Sequence, residues 1–181
     1  MVTWTPNDDF TPVETKVGWR TITRKEYFFP DGSLHAFDLV GREGEKGAVV
    51  LGLTGDNKVV VAEQFRPGPN KSMDELPGGM IELDEDPEQA ARREFREETG
   101  YEAGRMELLG TAFHDGLFMA SDIYFIAYDC KKVGEPALDP NECIVTKEMT
   151  IADFLESAKQ GHVTDAAAVL MAYDRLQELA S

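Results

Sequence analysis

The chain has 181 residues, 42% of them hydrophobic, which suffices for one substantial core and requires no tandem module. Its 34 Asp and Glu against 18 Lys and Arg leave a net charge of −16, which argues against a nucleic-acid polymer or an anionic membrane as partner. A small anionic substrate would have to arrive with a cation. The start MVTWTPNDDF lacks a basic region followed by an apolar run, and no stretch approaches membrane-spanning length. These two features give the expectation of a cytoplasmic protein, in whose reducing environment Cys130 and Cys143 fit two ordinary thiols better than the alternative of a disulfide.

Residues 1–16, with Pro6, Pro12 and scattered acids, read as an extended arm. The β-prone run WRTITRKEYFF (19–29), the turn Pro30-Asp31-Gly32 and the run SLHAFDLV then predict a β-hairpin. GAVVLGLT and KVVVAEQF flank Gly55-Asp56-Asn57, and their nearly unbroken aliphatics predict strands buried on both faces. Pro67-Gly68-Pro69-Asn70 interrupts the chain and puts Arg66 and Glu75 near the mouth of an acidic loop, residues 76–86. Asp86-Pro87-Glu88-Gln89 supplies an N-cap, a proline at the first helical position and a capping-box partner, and Thr99-Gly100 supplies the stop. A helix over 87–99 follows. RMELLGTAF and SDIYFIAYD read as two strands joined by the loop 114–120, and IVTKEM as another. Thr150 is placed to cap a helix ending near Gly161, and Thr164 a last helix from about Asp165 to Leu179, with Ala168, Leu170, Met171 and Leu176 available for packing.

On the helix over 87–99, Glu94 lies three residues from Glu97 and four from Glu98, so the three carboxylates project to one side. Like charges at this spacing cost an isolated helix roughly 0.2–0.5 kcal/mol per pair, and a cation is the natural compensation. Carboxylate oxygens suit Mg2+ or Mn2+, which keep some waters and take substrate phosphate in the remaining positions. Arg93, four residues before Glu97, is placed to hold it. For an arbitrary acidic helix the alternative is a solvated, charge-laced face.

The wider spacing decides between them. Gly79, Glu85, Arg93-Glu94, Glu97-Glu98 and Gly100 stand at the intervals of the Nudix box, and the long spacing makes this match far more specific than a lone glycine motif. Phe95 and Tyr101 are aromatic where that family usually has a branched aliphatic, and read as packing variants. The resemblance runs from about Trp19 to the end. Glu63-Gln64-Phe65-Arg66, Glu75-Leu76-Pro77-Gly78-Gly79, the stretch Asp139-Pro140-Asn141-Glu142 and GHVTDAAAVLMA are similar to the ADP-ribose and nucleotide-sugar pyrophosphatases.

This resemblance implies an α/β fold, a Nudix-type α/β/α sandwich with a mixed β-sheet and an N-terminal β-hairpin extension. Residues 1–42 would form the dimer-forming arm and hairpin of a homodimer, and 43–181 the hydrolase domain. It implies Mg2+, or Mn2+, held by Glu94, Glu98 and the backbone carbonyl of Gly78, with Glu97 a ligand or the partner of a metal-bound water. Gly79 would let the loop approach closely, and Glu85 would brace it against Arg93. Arg66, with Glu75 beside it, is the candidate to grip phosphate, against the alternative of a salt bridge with Glu63 or Glu75. Trp19, Tyr27 and Phe28 become candidates for stacking on the base, against ordinary hairpin packing. For the proton-accepting base the resemblance points to a loop beyond the sheet, with Glu142 first and Asp139 second, unless Glu97 acts through the metal.

The implied reaction is metal-dependent hydrolysis of the pyrophosphate bond of a nucleotide sugar, ADP-ribose or a relative, to a nucleoside monophosphate and a sugar phosphate. Alternatives are a nucleoside triphosphate or dinucleoside polyphosphate, or a nucleotide-binding module without turnover. One departure bears on substrate: ADP-ribose hydrolases typically carry a proline shortly past the box, and here none lies between Pro87 and Pro136. GDP-mannose or another nucleotide sugar therefore stays open.

Overall fold

A computed structural model describes residues 3–140 and 142–180. Its elements are, in chain order, β1 (Thr5–Pro6), β2 (Val13–Val17), β3 (Arg20–Phe28), β4 (Leu34–Val40), β5 (Lys46–Thr54), β6 (Lys58–Arg66), β7 (Lys71–Glu75) and β8 (Gly78–Met80), then α1 (Pro87–Thr99). After α1 come β9 (Tyr101–Glu102), β10 (Met106–Phe113), β11 (Ser121–Lys132), β12 (Ile144–Thr150), α2 (Ile151–Lys159) and α3 (Ala166–Leu179). Two compact units divide the chain: residues up to Lys46 with Phe113–Ser121, and Gly47–Ala112 with the residues from Asp122 on. None of the described helices is long and apolar enough to cross a membrane.

In the larger unit the strand period of two decides the layering. Along β5, Val49, Leu51 and Leu53 face one way and Ala48 and Val50 the other; β6 splits Val59 and Val61 from Val60, and β11 splits Tyr124 and Ile126 from Phe125 and Ala127. The first set packs on α2 and α3 through Ile151, Phe154, Leu155, Ala168, Val169, Ala172 and Leu176. The second packs on α1 through Ala90, Ala91 and Phe95, so the sheet is covered on both faces, as its aliphatic runs require. The sheet has the path β10-β11-β5-β6-β12, with β7, β8 and β9 joined at its sides.

α1 starts and stops where its residues dictate. The Asp86 carboxylate accepts from Glu88 N (3.0 Å) and Gln89 N (3.2 Å), and Gly100 closes the helix at φ 72°. A Cβ at Gly100 would also run into the carbonyl oxygen of Gly134, so glycine is required there twice over. The aromatic at position 95 has its own explanation. Phe95 is fully buried, and a Cβ at Gly52 would lie 2.5 Å from its Cζ, so the ring fills the space that glycine leaves in β5. Tyr101 packs edge-on against Phe95 at 6.4 Å and donates to Glu148 at 2.7 Å, which ties the end of α1 to β12.

The stretch that leads into the acidic loop is more ordered than its composition suggests. β5 and β6 pair at Gly52↔Val60 and Leu53↔Val59, and beyond that β8 pairs with β5 and β7 with β6, all antiparallel. Residues 76 and 77 therefore lie between two paired strands rather than in a free loop, and Gly78 and Gly79 are sheet residues opposite Val49 and Ala48. Proline and glycine content hid these short strands, because pairing partners far away in sequence supply their order.

At the C-terminus Thr150 caps α2 as expected, accepting from Asp153 N at 3.1 Å. The cap position of α3 is Asp165, not Thr164, and its side chain makes no capping bond to its own helix. Of the predicted packing residues, Ala168 and Leu176 are buried, whereas Leu170 is 79% exposed and Met171 part-exposed; Val169 and Ala172 take their places. The buried set Ala168, Val169, Ala172 and Leu176 follows the one-, three- and four-residue steps of a single helix face, on which Leu170 does not lie.

The smaller unit is a four-stranded sheet in which β3 is central. β4 pairs along β3 from Ile22↔Val40 to Phe28↔Leu34, while β2 covers Arg20 to Arg24 and β1 covers Tyr27 and Phe28, all antiparallel. The hairpin is the one read from the sequence. The arm, however, is not free: two of its segments are strands on β3. The predicted loop 114–120 is held here as well, with Val40 N donating to Leu117 O (2.8 Å), Met119 N to Val40 O (2.9 Å) and Ser121 N to Glu45 O (3.2 Å).

Candidate active site

Arg93 organises the acidic face of α1. Its Nε and Nη2 donate to the two oxygens of Glu85 at 2.9 Å each, Nη1 to Glu94 at 2.7 Å and Glu97 at 3.2 Å, and Nη2 also to Met80 O at 3.3 Å. Glu85 in turn accepts from Glu82 N at 3.0 Å, so one guanidinium binds the loop to the helix, and Glu85 braces the loop in the expected way. The hydrogen bonds from Arg93 hold the Glu85 carboxyl down to about 2. Those same bonds raise Arg93, Glu85 contributing most.

Glu94 and Glu98 sit deeper than Glu97, which is the most exposed of the three carboxylates. A Cβ at Gly79 would lie 2.5 Å from the Glu94 carboxylate, so the bare backbone of β8 is what leaves room for that side chain. Glu98 accepts from Gly78 N at 2.9 Å. Burial pushes its carboxyl up to about 8; the Gly78 N–H acts against this, and the nearby charges of Glu142, Glu94 and Glu75 add to it. Burial likewise raises Glu94, opposed by Arg93 and reinforced by Glu97 and Glu142. Two carboxylates half-buried or deeper on one helix face, both raised, form a site short of positive charge.

Glu142 joins this field from the loop before β12. That loop folds back on the end of α1, Ala137 N donating to Glu97 O at 2.7 Å. Its turn is closed from both sides: Glu142 N donates to Asp139 O at 2.9 Å and the Glu142 carboxylate accepts from Asp139 N at 3.0 Å. Asn141, in the same stretch, lies outside the described residues.

Arg66 and Glu75 form a bidentate pair, Arg66 Nε donating at 2.6 Å to one oxygen of Glu75 and Nη2 to the other. Glu63, the other partner considered for Arg66, pairs instead with Lys147 at 2.6 Å. Glu75 is buried and Arg66 half-exposed, and the pair engages only the Nε and Nη2 edge of the guanidinium. The pairing raises Arg66 further, and Glu98 lies within its electrostatic reach.

The predicted aromatics lie in the smaller unit. Trp19 is 81% exposed with the Arg20 guanidinium 4.3 Å above its ring, Phe28 is exposed, and Tyr27 packs edge-on against Phe37 at 5.9 Å. Trp19 precedes β3 and Tyr27 lies near its other end, about 26 Å away along an extended strand, so the two do not form one platform. The sequence reading missed a different grouping: Trp4 stacks on Phe29 (4.5 Å) and Phe37 (5.2 Å), and Phe29 on His35 (4.0 Å). Its signal was the two-residue spacing of Tyr27 with Phe29 and of His35 with Phe37 on paired strands, which places all four on one face.

Among the described residues no three His, Cys, Asp or Glu side chains already stand at metal-ligand spacing, and Arg93 holds Glu94 and Glu97. The donor set nevertheless suits a hard divalent ion. Glu94, Glu98 and the Gly78 backbone supply oxygens alone, and Mg2+ is commonly bound through one or two carboxylates with waters and phosphate completing its shell. Glu98, part-buried and hydrogen-bonded to a backbone amide rather than to a cationic side chain, gives such an ion a reason to bind.

The chain is 34% identical over 153 residues to the methanol dehydrogenase activator of Bacillus methanolicus, covering 82% of this chain and 81% of the relative. It is 32% identical, over the same shares, to the ADP-ribose pyrophosphatase of Bacillus subtilis (strain 168). The crystal structure of an ADP compounds hydrolase superposes with a TM-score of 0.73 at 16% identity, covering 93% of this chain and 96% of that one, a likeness of fold. The NUDIX domain model matches residues 45–171, which include every carboxylate of α1 and the loop of Glu142, and the chain belongs to the Nudix hydrolase family.

Proposed function

We propose that this chain hydrolyses the pyrophosphate bond of a nucleotide sugar, ADP-ribose or a relative, in the presence of Mg2+ or Mn2+, giving a nucleoside monophosphate and a sugar phosphate. The observation that carries the reading is the acidic face of α1, where Glu94 fills the space that Gly79 leaves, Glu98 accepts from Gly78 N, and Arg93 ties Glu94 and Glu97 to the loop. Glu94, Glu98 and the Gly78 carbonyl would hold the ion, with Glu97 released from Arg93 to join them or a water beside them. A bound divalent ion supplies Lewis-acid neutralisation of the pyrophosphate charge that otherwise repels an attacking water.

The protein's own groups do the rest. Glu75 fixes the fork of Arg66 edge-on, which leaves Nη1 to meet a phosphate oxygen. Glu142 accepts the proton of the attacking water at its carboxylate, held in place by the Asp139 N–H, with Asp139 itself as the second candidate. Arg93 and Glu85 keep the loop against α1 throughout. Residues 1–42 serve as the extension through which a homodimer forms, and Trp19 or the Tyr27–Phe28 end of β3 offers a ring to the base.

The test is product analysis by anion-exchange chromatography after incubation with Mg2+ and, separately, ADP-ribose, GDP-mannose, UDP-glucose and dGTP. A nucleoside monophosphate with a sugar phosphate is the expected result, and the fastest substrate names the base and sugar. Pyrophosphate from dGTP alone would move the protein to triphosphates. Ligand binding without turnover of any of these would make it a non-catalytic module. Size-exclusion chromatography with light scattering checks the dimer.

A further inference from the structure

We propose that Asp165, at the start of α3, is a positioning residue that sets the backbone of residues 76–78 and so the place of the Gly78 carbonyl. The inference rests on the reading above for the role of Gly78, and on geometry for the tether itself. Asp is among the best N-cap residues, yet the Asp165 side chain makes no capping bond to α3. Its Oδ2 instead accepts from Leu76 N at 2.9 Å, 89 residues earlier in the chain, and from Thr164 Oγ1 at 3.0 Å. Burial pushes this carboxyl up to about 6, and the neighbouring charges of Glu75 and Asp122 push the same way. A carboxylate kept in so unfavourable a place, without serving its own helix, has the Leu76 amide as its main-chain partner.

The approach to Leu76 is built by the chain itself. The α2–α3 loop zips alongside the end of β7: Asp74 N donates to His162 O at 2.8 Å, Thr164 N to Asp74 O at 3.4 Å, and Asp74 forms a parallel bridge with Val163. Asp74 is further fixed by Lys147 at 2.6 Å and by the Ser157 hydroxyl at 2.5 Å. In this parallel register Asp165 falls beside Leu76, two residues on from the bridged pair. Three successive residues are then pinned to three elements: Leu76 N to Asp165, Pro77 O to Val50 N of β5 at 2.9 Å, and Gly78 N to Glu98 of α1 at 2.9 Å. With Asp165 removed, the segment keeps its hold on β5 and α1 but loses the one that sets its entry.

The test uses Asp165→Ala, Asp165→Asn and, as a stability control in the buried face of the same helix, Val169→Ala. Amide hydrogen exchange of Leu76 is read by NMR, and Mn2+ affinity by the electron paramagnetic resonance signal of the free ion, neither of which needs turnover. Asp165→Ala is expected to lose the slow exchange of Leu76 and to weaken Mn2+ binding about tenfold, the usual consequence of losing an outer partner of a metal site. Asp165→Asn, which keeps an acceptor oxygen, should retain most of both, and Val169→Ala should lower the melting temperature while leaving Mn2+ affinity unchanged. A protected Leu76 amide in Asp165→Ala, or an equal loss of Mn2+ affinity in Val169→Ala, would overturn the proposal. Wild-type protein that binds no Mn2+ would instead overturn the reading of Glu94 and Glu98 on which the role of Gly78 depends.

Discussion

Replacing Glu98 with Gln should stabilise the metal-free protein at alkaline pH while abolishing the proposed metal-dependent turnover. The fold raises the Glu98 carboxyl from its ordinary 4.5 to about 8, chiefly by burial. A raised carboxyl binds its proton more tightly in the folded than in the unfolded chain, so folding stability falls as pH climbs from about 4.5 and levels off above about 8. At about 1.4 kcal/mol per pH unit, ionising Glu98 would cost the fold at most ~5 kcal/mol; relaxation and sharing of charge with Glu94 and Glu142 reduce this to about 2–3 kcal/mol. A glutamine in its place carries no charge and still offers an oxygen to Gly78 N. For a chain of this length each kcal/mol moves the melting temperature by about 2–4 °C, so in EDTA at pH 8.5 Glu98→Gln should melt about 5–10 °C above wild type. Near pH 5, where the folded wild type holds Glu98 neutral, the two should melt together. Mg2+ should raise the melting temperature of wild type, most at high pH, and leave the variant almost unmoved, because only an ion that binds the folded state stabilises it. Scanning calorimetry at the two pH values, with EDTA and with Mg2+, checks all of this. A variant no more stable than wild type at pH 8.5, or equally favoured at both pH values, would refute the account of Glu98 as a charge only partly compensated by the Gly78 N–H.

Three further outcomes follow from other parts of the molecule. Gly52→Ala should cost about 1–3 kcal/mol by driving its Cβ into the Phe95 ring, and adding Phe95→Leu should recover part of that loss, a non-additivity that thermal melts of the single and double variants would show. Glu142→Gln should lower kcat by about 100-fold or more with little change in KM, as loss of a general base does, while Asp139→Asn stays within a few-fold of wild type; the reverse order would transfer the role to Asp139. Glu85 is held down to about 2 by Arg93, so its contribution to stability is present above the ordinary carboxyl value of 4.5 and disappears as pH falls through about 2. Acid unfolding of Glu85→Gln, followed by circular dichroism, should therefore start from lower stability at neutral pH and fall less steeply in that window.

What the residues determined alone is local or periodic. Asp86-Pro87 and Thr99-Gly100 are enough to bound α1, since caps act within a turn of the helix, and the four-residue step from Glu94 to Glu98 places both carboxylates on one face without reference to anything outside the helix. The aliphatic runs of β5 and β6 announce a sheet covered on both faces for the same reason. Tertiary structure decided what depends on partners distant in the chain. Gly78 and Gly79 became strand residues because β5 and β6 part and leave edges to be paired; Arg66 was committed to Glu75 while Glu63 went to Lys147; and Asp165 gave up its helix cap for an amide 89 residues away. The exceptional aromatic at 95 likewise makes sense only once Gly52 lies beneath it. Hydrogen-bond and packing partners of this kind are selected by which surfaces folding brings together, and no spacing along the chain encodes that distance.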